Sequence, residues 1–413
     1  MLILIPGITG NVGKELCAAA LAAGHTVRGL GRSPEKLPAE LSSRLESFVK
    51  STSYADVAAF DEACSGGVDA VIVAWSAHPL LQVDGQLMLL RAAERAGIRR
   101  FHSASWNLDW TKCSHGDLIT YDGLKAFARH ALYTSRVRVT HVFVGVFAKT
   151  FFAVPGAGAL EADSAMWVRG EGQRRVLQTP RGDSWRMNFT TEEDAAAFSV
   201  ALITSEHGDR GGFYRFCSDT FTPREAKEAF EAVRAGGEVT CRTLMPLEVI
   251  KKLADDTKAS AEAAGPEMFQ MQYLAIAGLE YGYWIPSEKM LFDPVDAAKF
   301  PHVKRTSVRE YIQKNAPLDN KKLIFMFPWS FRYGKTIDNS ALASGAFVQY
   351  CTTDKCVDVC VPKFHWVCSC KSESRPRDAQ QGYKTKPRGP TKYSYKKLGY
   401  VTYDRRLNGL LTK

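Results

Sequence analysis

The chain contains no uninterrupted run of about 20 apolar residues, the length that a helix needs to cross a bilayer, although 45% of its 413 residues are hydrophobic. Its apolar beginning, MLILIPGITG, has neither the basic segment nor the spaced cleavage site of a signal peptide. These absences argue against a transmembrane segment and against a secretion signal. We therefore expect a cytoplasmic protein whose first residues form a buried strand.

Paired cysteines and metal-binding spacings are also missing from the first 350 residues. No two histidines stand in an H-x-x-x-H spacing, so we expect no metal. The cysteines of this part are scattered without a pairing rhythm, as expected for reduced thiols in a cytosolic protein: Cys17, Cys64, Cys113, Cys217 and Cys241.

An excess of basic charge is absent from most of the chain. The formal net charge is +10, but residues 351–413 carry 14 Lys and Arg against 5 Asp and Glu, which leaves +1 for residues 1–350. A body that attracts nucleic acid over its whole surface is therefore excluded. Nucleic-acid binding remains an alternative for the tail alone.

The first 315 residues do contain an alternation of short apolar runs and helical stretches. Strands joined by helices at this spacing predict an α/β, doubly wound parallel sheet of the Rossmann type, with helices on both faces. A later helical stretch, over 246–277, should break at Gly265-Pro266. The other expected elements are strands at 2–5, 25–30, 68–75, 100–105 and 137–147, helices at 13–23, 82–96, 121–133, 191–204 and 223–234, and a strand, turn and helix over 302–315.

This pattern predicts three parts. Residues 1–150 form the dinucleotide-binding core, and 151–316 form a smaller C-terminal substrate-binding subdomain, from which some strands and helices return to the core. Residues 317–413 are a basic, Cys-containing extension of unknown role. Its composition, dominated by Lys, Arg, Ser, Gly and Pro over 371–395, cannot bury much core and predicts a poorly structured tail.

A glycine-rich turn follows the first strand and runs directly into a helix. Its G-x-x-G-x-x-G spacing allows a tight turn at Gly7, close approach of a pyrophosphate at Gly10 and close helix packing at Gly13. The phosphates would lie on the helix N-terminus, where free N–H groups and the dipole favour an anion. The predicted cofactor-binding residues of this turn are Gly7, Thr9, Gly10, Asn11, Val12 and Gly13.

The end of the second strand indicates which dinucleotide binds. A site for NAD places an acid there for the ribose 2′-hydroxyl, whereas an arginine accommodates a 2′-phosphate. Here no acid occurs before Glu35, while Arg32 and Ser33 offer a guanidinium and a hydroxyl. The sequence therefore predicts NADP(H), and the alternative is that Arg32 is an ordinary solvated residue.

A Tyr-x-x-x-Lys pair, Tyr121 and Lys125, stands at the start of a predicted helix. Residues four apart share a helical face, so the ammonium can lie near the phenol and lower its pKa. The phenol could then exchange a proton with a carbonyl that receives hydride, and Lys125 could also hold the cofactor ribose. Ser105, at the end of a strand on the ligand-binding edge, would polarise the substrate oxygen, although Ser103 has the same predicted sidedness.

Residues 1–316 resemble the NmrA-like and isoflavone-reductase-like family, an atypical branch of the short-chain dehydrogenases/reductases. The resemblance implies a Rossmann domain that binds NADP(H), a cleft closed by a smaller subdomain, and reduction of a carbonyl or conjugated double bond in a small, secondary-metabolite-like molecule. It leaves the tail unmatched. It is carried by Gly7, Gly10, Gly13, Arg32, Lys125 and the segments 92–101, 189–197, 213–230 and 303–312.

The sequence also departs from this family. Reductases of the isoflavone type carry Pro-Ser-Glu-aromatic-Gly where this chain has Ser103-Ala104-Ser105-Trp106-Asn107, and they rely mainly on the lysine. Regulatory members bind the dinucleotide without turnover and usually lack the tyrosine. The presence of both Tyr121 and Lys125 favours an enzyme, and the alternative is a non-catalytic NADP(H)-sensing protein that binds a protein partner.

Aromatic residues follow the strand that ends near residue 147. Phe147, Phe151, Phe152 and Trp167 would overhang the nicotinamide and favour an apolar or aromatic small-molecule substrate. The alternative is that these rings close the core of the subdomain. The sequence leaves the oligomeric state open.

The tail contains five cysteines and one histidine. Structural zinc sites usually have paired C-x₂₋₄-C knuckles, whereas the last cysteine pair here has only one intervening residue and the number of cysteines is odd. The basic–aromatic stretch 384–397 is more often a solvated run than a nucleic-acid site. A divergent extension or a mis-joined reading frame is a further alternative. The residues concerned are Cys351, Cys356, Cys360, His365, Cys368 and Cys370.

Overall fold

The computed structural model describes residues 1–76, 78–152, 167–169, 175–233, 237–243, 245–315, 350–352 and 355–357. The chain divides into two compact units, Met1–Tyr350 and Cys351–Lys413. The predictions made for the tail cysteines, His365 and the basic–aromatic stretch fall almost wholly outside the described residues. The described part of the tail consists of two short paired strands, Tyr350–Thr352 and Lys355–Val357.

A seven-stranded, all-parallel sheet forms the centre of the first unit, in the order β11-β6-β5-β4-β1-β2-β3. The chain moves outward from β1 to β3 and then returns to place β4 on the other side of β1. Ligands bind at the carboxyl edge of such a switch point. The strands are β1 (Leu2–Pro6), β2 (Thr26–Gly31), β3 (Ser47–Lys50), β4 (Ala70–Ile72), β5 (Arg100–His102), β6 (Arg138–Phe143) and β11 (Gly212–Arg215).

Helices cover both faces of this sheet, which confirms the doubly wound α/β prediction. Helices α1 and α7 pack together on one face, and α3 and α4 pack on the other. The helices are α1 (Asn11–Ala22), α2 (Ala39–Ser42), α3 (Val57–Cys64), α4 (Gln86–Arg95), α5 (Ile119–Thr134), α6 (Ala148–Phe151), α7 (Glu192–Thr204), α8 (His207–Arg210), α9 (Pro223–Val233), α10 (Leu247–Ala264), α11 (Pro266–Trp284) and α12 (Val308–Lys314).

Strand β1 shows why the sheet is buried on both sides. Successive side chains of a strand point to opposite faces, so Ile3 and Ile5 join the cluster formed with α1 and α7, while Leu4 joins the cluster formed with α3 and α4. All three side chains are fully buried. This explains the continuous apolar run at the start of the sequence.

Two smaller sheets and a third apolar cluster accompany the C-terminal helices. The sheets have the orders β12-β10-β7 and β13-β9-β8, and the cluster contains many aromatic rings, among them Phe151, Phe189 and Tyr311. The strands are β7 (Val146–Phe147), β8 (Trp167–Arg169), β9 (Arg175–Thr179), β10 (Met187–Thr190), β12 (Asp219–Phe221) and β13 (Val239–Thr243).

Several expected boundaries differ from the structure. The strand expected over 137–147 is divided because Gly145 has a φ of +77° and a Cβ there would lie 2.2 Å from the Asn188 carbonyl oxygen. The expected strand at the start of 302–315 is absent, whereas the helix that follows it is present as α12. The break at Gly265-Pro266 is confirmed, since α10 ends at Ala264 and α11 begins at Pro266.

Candidate functional site

The glycine-rich turn between β1 and α1 is shaped by contacts that exclude larger side chains. A Cβ at Gly7, whose φ is +82°, would lie 2.4 Å from the Ala74 carbonyl oxygen, and one at Gly13 would lie 2.3 Å from the Gly7 carbonyl oxygen. The turn is closed by hydrogen bonds from Gly7 N–H to Leu30 O and from Gly10 N–H to Gly7 O. Gly7 and Gly13 are therefore required by the fold itself.

Gly10 differs from them because it faces outward. It is exposed, and a Cβ there would meet the Gly7 carbonyl oxygen at 3.2 Å, a tight contact but not an overlap. It precedes α1, a helix that has no side-chain cap and no acidic residue in its first turn. Such a helix N-terminus suits an anion. The turn, including the half-buried Thr9, Asn11 and Val12, therefore fits the pyrophosphate of a dinucleotide.

Two arginines near this edge have opposite surroundings. Arg28, in β2, is 8% exposed and forms two hydrogen bonds to Glu46 and two more to the carbonyl oxygens of Ala63 and Ser65. Arg28 and the Ser47 hydroxyl lower the pKa of the Glu46 carboxyl to about 2. Arg28 is thus a structural residue that ties β2 to the segment before β3 and to the end of α3.

Arg32, just beyond β2, is exposed. Within the described residues it has no hydrogen bond or ion pair, and its guanidinium carbon lies 4.8 Å from the centre of the Tyr54 ring. Its N–H groups are therefore available to a phosphate. Ser33 beside it is half-buried and makes no capping hydrogen bond to the short helical turn that it precedes.

Ser105 lies in the core. It is fully buried, and its hydroxyl donates to the Ser103 carbonyl oxygen and accepts a 2.9 Å hydrogen bond from the Val142 N–H. Its neighbour Ser103 is also fully buried, and its hydroxyl bonds to the Thr140 carbonyl oxygen and to His141. The hydroxyl of Ser105 therefore connects the end of β5 to β6. No described hydrogen bond joins it to Tyr121 or Lys125.

Tyr121 is 1% exposed on the first turn of α5. Its hydroxyl accepts a 3.1 Å hydrogen bond from the Leu108 N–H, and its ring meets that of Tyr281 edge-on at 5.7 Å. Burial raises the pKa of the Tyr121 phenol well above 10. The sequence-based expectation of a lowered pKa is corrected here, because in the protein alone the cost of burying a phenolate exceeds any effect of a nearby ammonium.

Lys125, one helical turn later, holds a loop. Its ammonium donates to the Cys113 carbonyl oxygen at 2.8 Å, to Cys113 Sγ at 3.0 Å and to the Ser114 carbonyl oxygen at 2.7 Å. These three acceptors match the three N–H donors of the ammonium. Tyr121 and Lys125 thus share a helix, as predicted, but their polar atoms have different partners.

Helix α11 holds the N-terminal end of α5. The Ile119 N–H donates to Glu280 Oε2 at 2.8 Å, the Thr120 hydroxyl donates to the Tyr281 hydroxyl at 3.2 Å, and Trp284 Nε1 donates to the carbonyl oxygen of Asp117 at 2.9 Å. Burial raises the pKa of Glu280 to about 7. Sequence reasoning assigned no role to Glu280, and nothing local links residues so far apart in the chain.

The aromatic residues proposed for the substrate fall into two groups. Phe151 and Phe152 are 1% and 3% exposed and pack against Phe189 and, for Phe152, the Tyr311 ring. These two rings therefore lie in the core, as in the alternative interpretation that the aromatic residues close the core of the subdomain. Phe147 is half-buried at the end of β7. The side chain of Trp167 is outside the described residues.

The described ranges show neither a metal-binding cluster nor a membrane-spanning helix. No three His, Cys, Asp or Glu side chains come together there in a metal-binding group. No helix in those ranges is both long and apolar enough to span a bilayer.

Comparison with known proteins gives a consistent family. The model of the NmrA-like family matches residues 1–312. A phenylcoumaran benzylic ether reductase of Ginkgo biloba is 25% identical over 329 residues, which is 76% of this chain and 98% of the relative. A bifunctional pinoresinol-lariciresinol reductase of Sinopodophyllum hexandrum is 23% identical over 331 residues, covering 76% and 98%.

The fold is shared with solved structures. The binary complex of leucoanthocyanidin reductase with NADPH from Vitis vinifera superimposes with a TM-score of 0.57 at 15% identity, covering 76% of this chain and 99% of that one. The matched part of the chain corresponds to nearly the whole length of each of these proteins. The remaining part is the basic tail.

Proposed function

The chain belongs to the NmrA-like family, and from this membership we propose that it is an NADPH-dependent reductase of the isoflavone-reductase-like type. It transfers hydride to a carbonyl or conjugated double bond of a small apolar or aromatic molecule. The reductase activity is inferred from the relatives, which are named as reductases. The substrate class rests on the half-buried Phe147 and on the relatives, which are named as reductases of phenylcoumaran and pinoresinol compounds.

One observation carries the cofactor assignment. The glycine turn leads into an uncapped helix N-terminus, and an exposed arginine without an ionic partner among the described residues stands at the end of the neighbouring strand. The helix end suits a pyrophosphate, and Arg32 with Ser33 suits a 2′-phosphate. Gly7, Thr9, Gly10, Asn11, Val12 and Gly13 complete the proposed cofactor site.

Bound NADPH supplies the hydride. Lys125 is the residue that we propose to contact the cofactor ribose and to move the proton, because an ammonium can exchange its loop acceptors for ribose and substrate oxygens. Tyr121, whose phenol stays protonated, positions the start of α5 through Leu108. Ser105 positions the edge of the sheet through its hydrogen bond to Val142.

We also propose a separate role for each of the three parts of the chain. Residues 1–150 bind the dinucleotide, 151–316 bind the substrate, and 317–413 are an extension without a role in turnover. Removal of the chain beyond Asn315 should therefore leave NADPH consumption unchanged. A large loss of turnover in the shortened protein would contradict this division.

The reductase assignment is tested by NADPH consumption with a panel of aromatic ketones, enones and quinones. We expect at least one member to be reduced, with NADPH preferred over NADH. Lys125→Ala should lower turnover by about a hundredfold or more, whereas Arg129→Ala, which removes an exposed cation one turn later on the same helix, should leave turnover unchanged. Tighter binding of NADH than of NADPH would contradict the role of Arg32.

A second function is favoured by a different observation. The ammonium of Lys125 is saturated by the loop at 113–114, and the Tyr121 hydroxyl is buried, as suits a protein that binds NADP(H) without using these groups. Such a protein would sense the dinucleotide and pass the signal to a protein partner. Tight NADPH binding without consumption of any substrate, together with capture of a partner that depends on NADPH, would favour it.

A further inference from the structure

Three side chains from three different strand ends form a stack at the carboxyl edge of the sheet. Arg32 follows β2, Tyr54 follows β3 and His78 follows β4. The Arg32 guanidinium lies 4.8 Å from the centre of the Tyr54 ring, and the His78 imidazole stacks on that ring with centroids 5.2 Å apart and planes inclined by 29°. Because β1 and β2 lie between β3 and β4 in the sheet, the stack joins the two sides of the switch point.

The polar atoms of this stack have no partner among the described residues. Within the part of the chain that the structure describes, the side chains of Arg32, Tyr54 and His78 make no hydrogen bond or ion pair, and Arg32 and His78 are exposed. Ion pairs are common elsewhere on this surface, for example between Arg95 and Asp61. Side chains held only through their faces, with every donor and acceptor free, are suited to take up a ligand.

The backbone that carries Tyr54 is held by hydrogen bonds. Asp56 caps α3 and accepts hydrogen bonds from the Thr52 N–H and hydroxyl, both at 2.7 Å, which fastens the segment that carries Tyr54. The Ser51 N–H donates to the Gly31 carbonyl oxygen and joins the ends of β3 and β2. The Tyr54 ring is therefore presented in a defined place beside Arg32.

We propose that Tyr54 is the ring on which the adenine of NADP(H) stacks, with Arg32 binding the 2′-phosphate beside it and His78 holding the place of the adenine until the dinucleotide arrives. The inference rests on the proposed function, since it concerns the same cofactor. A purine is a larger π-surface than an imidazole and gains more from stacking on a tyrosine. The His78 ring, exposed and without a hydrogen bond within the described residues, is the member of the stack that can leave.

The experiment uses the full-length protein and adenosine 2′,5′-bisphosphate, which carries the adenine and the 2′-phosphate but no nicotinamide. Calorimetric titration should show binding that Tyr54→Leu weakens by roughly tenfold, the range for loss of one base–aromatic stack, and that Tyr54→Phe preserves. His78→Ala should bind at least as tightly as the wild type. The matched control is Tyr133→Leu, at a tyrosine 81% exposed near the end of α5.

Proton NMR gives a second readout that does not depend on a substitution at Tyr54. The ring protons of His78, assigned by their absence in His78→Ala, should lose the ring-current shift of Tyr54 when the bisphosphate is added. Unchanged His78 resonances at saturation would overturn the proposal, as would equal affinity of Tyr54→Leu and the wild type. If one of these two results is found while NADPH-dependent turnover is intact, the proposed function still holds. A wild-type protein that binds neither the bisphosphate nor NADPH would overturn both the role of Tyr54 and the proposed function.

Discussion

Glu280 Oε2 accepts the backbone N–H of Ile119 at 2.8 Å, across a separation of 161 residues. Ile119 is the first residue of α5, so the carboxylate of a C-terminal helix caps the helix that carries Tyr121 and Lys125. A carboxylate at a helix N-terminus is favoured by the helix dipole. Burial of Glu280 has the contrary effect, because it disfavours the charged form of the carboxyl group. The stability of this contact should therefore depend on pH.

The pH dependence of stability should reflect Glu280. Its pKa is raised in the folded protein from 4.5 to about 7, so its contribution to stability is complete below pH 4.5 and is lost as pH rises through 7. Glu280→Gln cannot ionise and should raise the free energy of unfolding by about 1–2 kcal/mol at pH 8 while leaving it little changed at pH 4. Urea unfolding at the two pH values measures this.

The control for that experiment is Glu267→Gln, at an exposed position on the same helix, which should change stability little at either pH. A Glu280→Gln protein less stable than the wild type at pH 8 would show that the charged hydrogen bond to Ile119 outweighs the cost of burial.

The two arginines near β2 should separate stability from cofactor binding. Arg28→Ala leaves Glu46 and two carbonyl oxygens without their donor and should lower the free energy of unfolding by about 2–3 kcal/mol. Arg32→Ala should leave unfolding unchanged and weaken NADPH binding by roughly tenfold or more while sparing NADH. Thermal unfolding and titration with both dinucleotides on both variants measure this, and each variant is the control for the other.

Substitution of Gly13 should mainly affect stability, whereas substitution of Gly10 should mainly affect cofactor binding. Gly13→Ala forces a Cβ to within 2.3 Å of the Gly7 carbonyl oxygen and should unfold the turn, at a cost of several kcal/mol, on the order of a severe overpacking. In Gly10→Ala the new Cβ meets the Gly7 carbonyl oxygen at 3.2 Å, a tight contact rather than an overlap, so we expect a folded protein that binds NADPH roughly tenfold more weakly because the methyl group keeps the pyrophosphate away. Circular dichroism melts and calorimetry on the pair test this, and full NADPH affinity in Gly10→Ala would contradict it.

The roles assigned on α5 predict unequal effects on turnover. Lys125→Ala should lower kcat by about a hundredfold or more, as expected for loss of a group that moves a proton. Tyr121→Phe removes a buried hydroxyl that accepts one backbone hydrogen bond, so it should cost about 1 kcal/mol of stability and reduce kcat less than tenfold. Steady-state kinetics decide between the roles, because equal losses in both variants would make Tyr121 a direct participant in proton transfer.

The sequence predicted the parts of the fold that are locally encoded. Strand β1, the glycine turn and α1 follow from an apolar run and glycine spacing, and the division of α10 from α11 follows from Gly265-Pro266. Strand β3 was missed because Ser47–Lys50 has only one buried residue and no continuous apolar run. Because β3 was not predicted, Tyr54 was not assigned to the ligand-binding edge. The end of a strand must be recognised before the residues that follow it can be placed at that edge.

The site was less predictable because its hydrogen bonds join distant parts of the chain. Ser105 lies on the expected edge, but its hydroxyl is taken by the N–H of Val142 on the neighbouring strand. Lys125 was identified from its spacing, yet its three acceptors at 113–114 belong to a loop whose path no local pattern indicates. Residue type therefore suggested the chemistry, and tertiary packing decided which polar atoms are free.

Strand β11 has a consequence for the order in which the protein is made. It pairs with β6 along Thr140 to Phe143 and so completes the side of the central sheet that lies farthest from β3. Until Arg215 has left the ribosome, the edge of β6 presents unpaired N–H and C=O groups beside buried apolar side chains, the kind of edge that recruits strands from other chains. Residues 1–150 alone therefore leave β6 as an unpaired edge of the sheet, and this edge is covered only by residues that are synthesised much later.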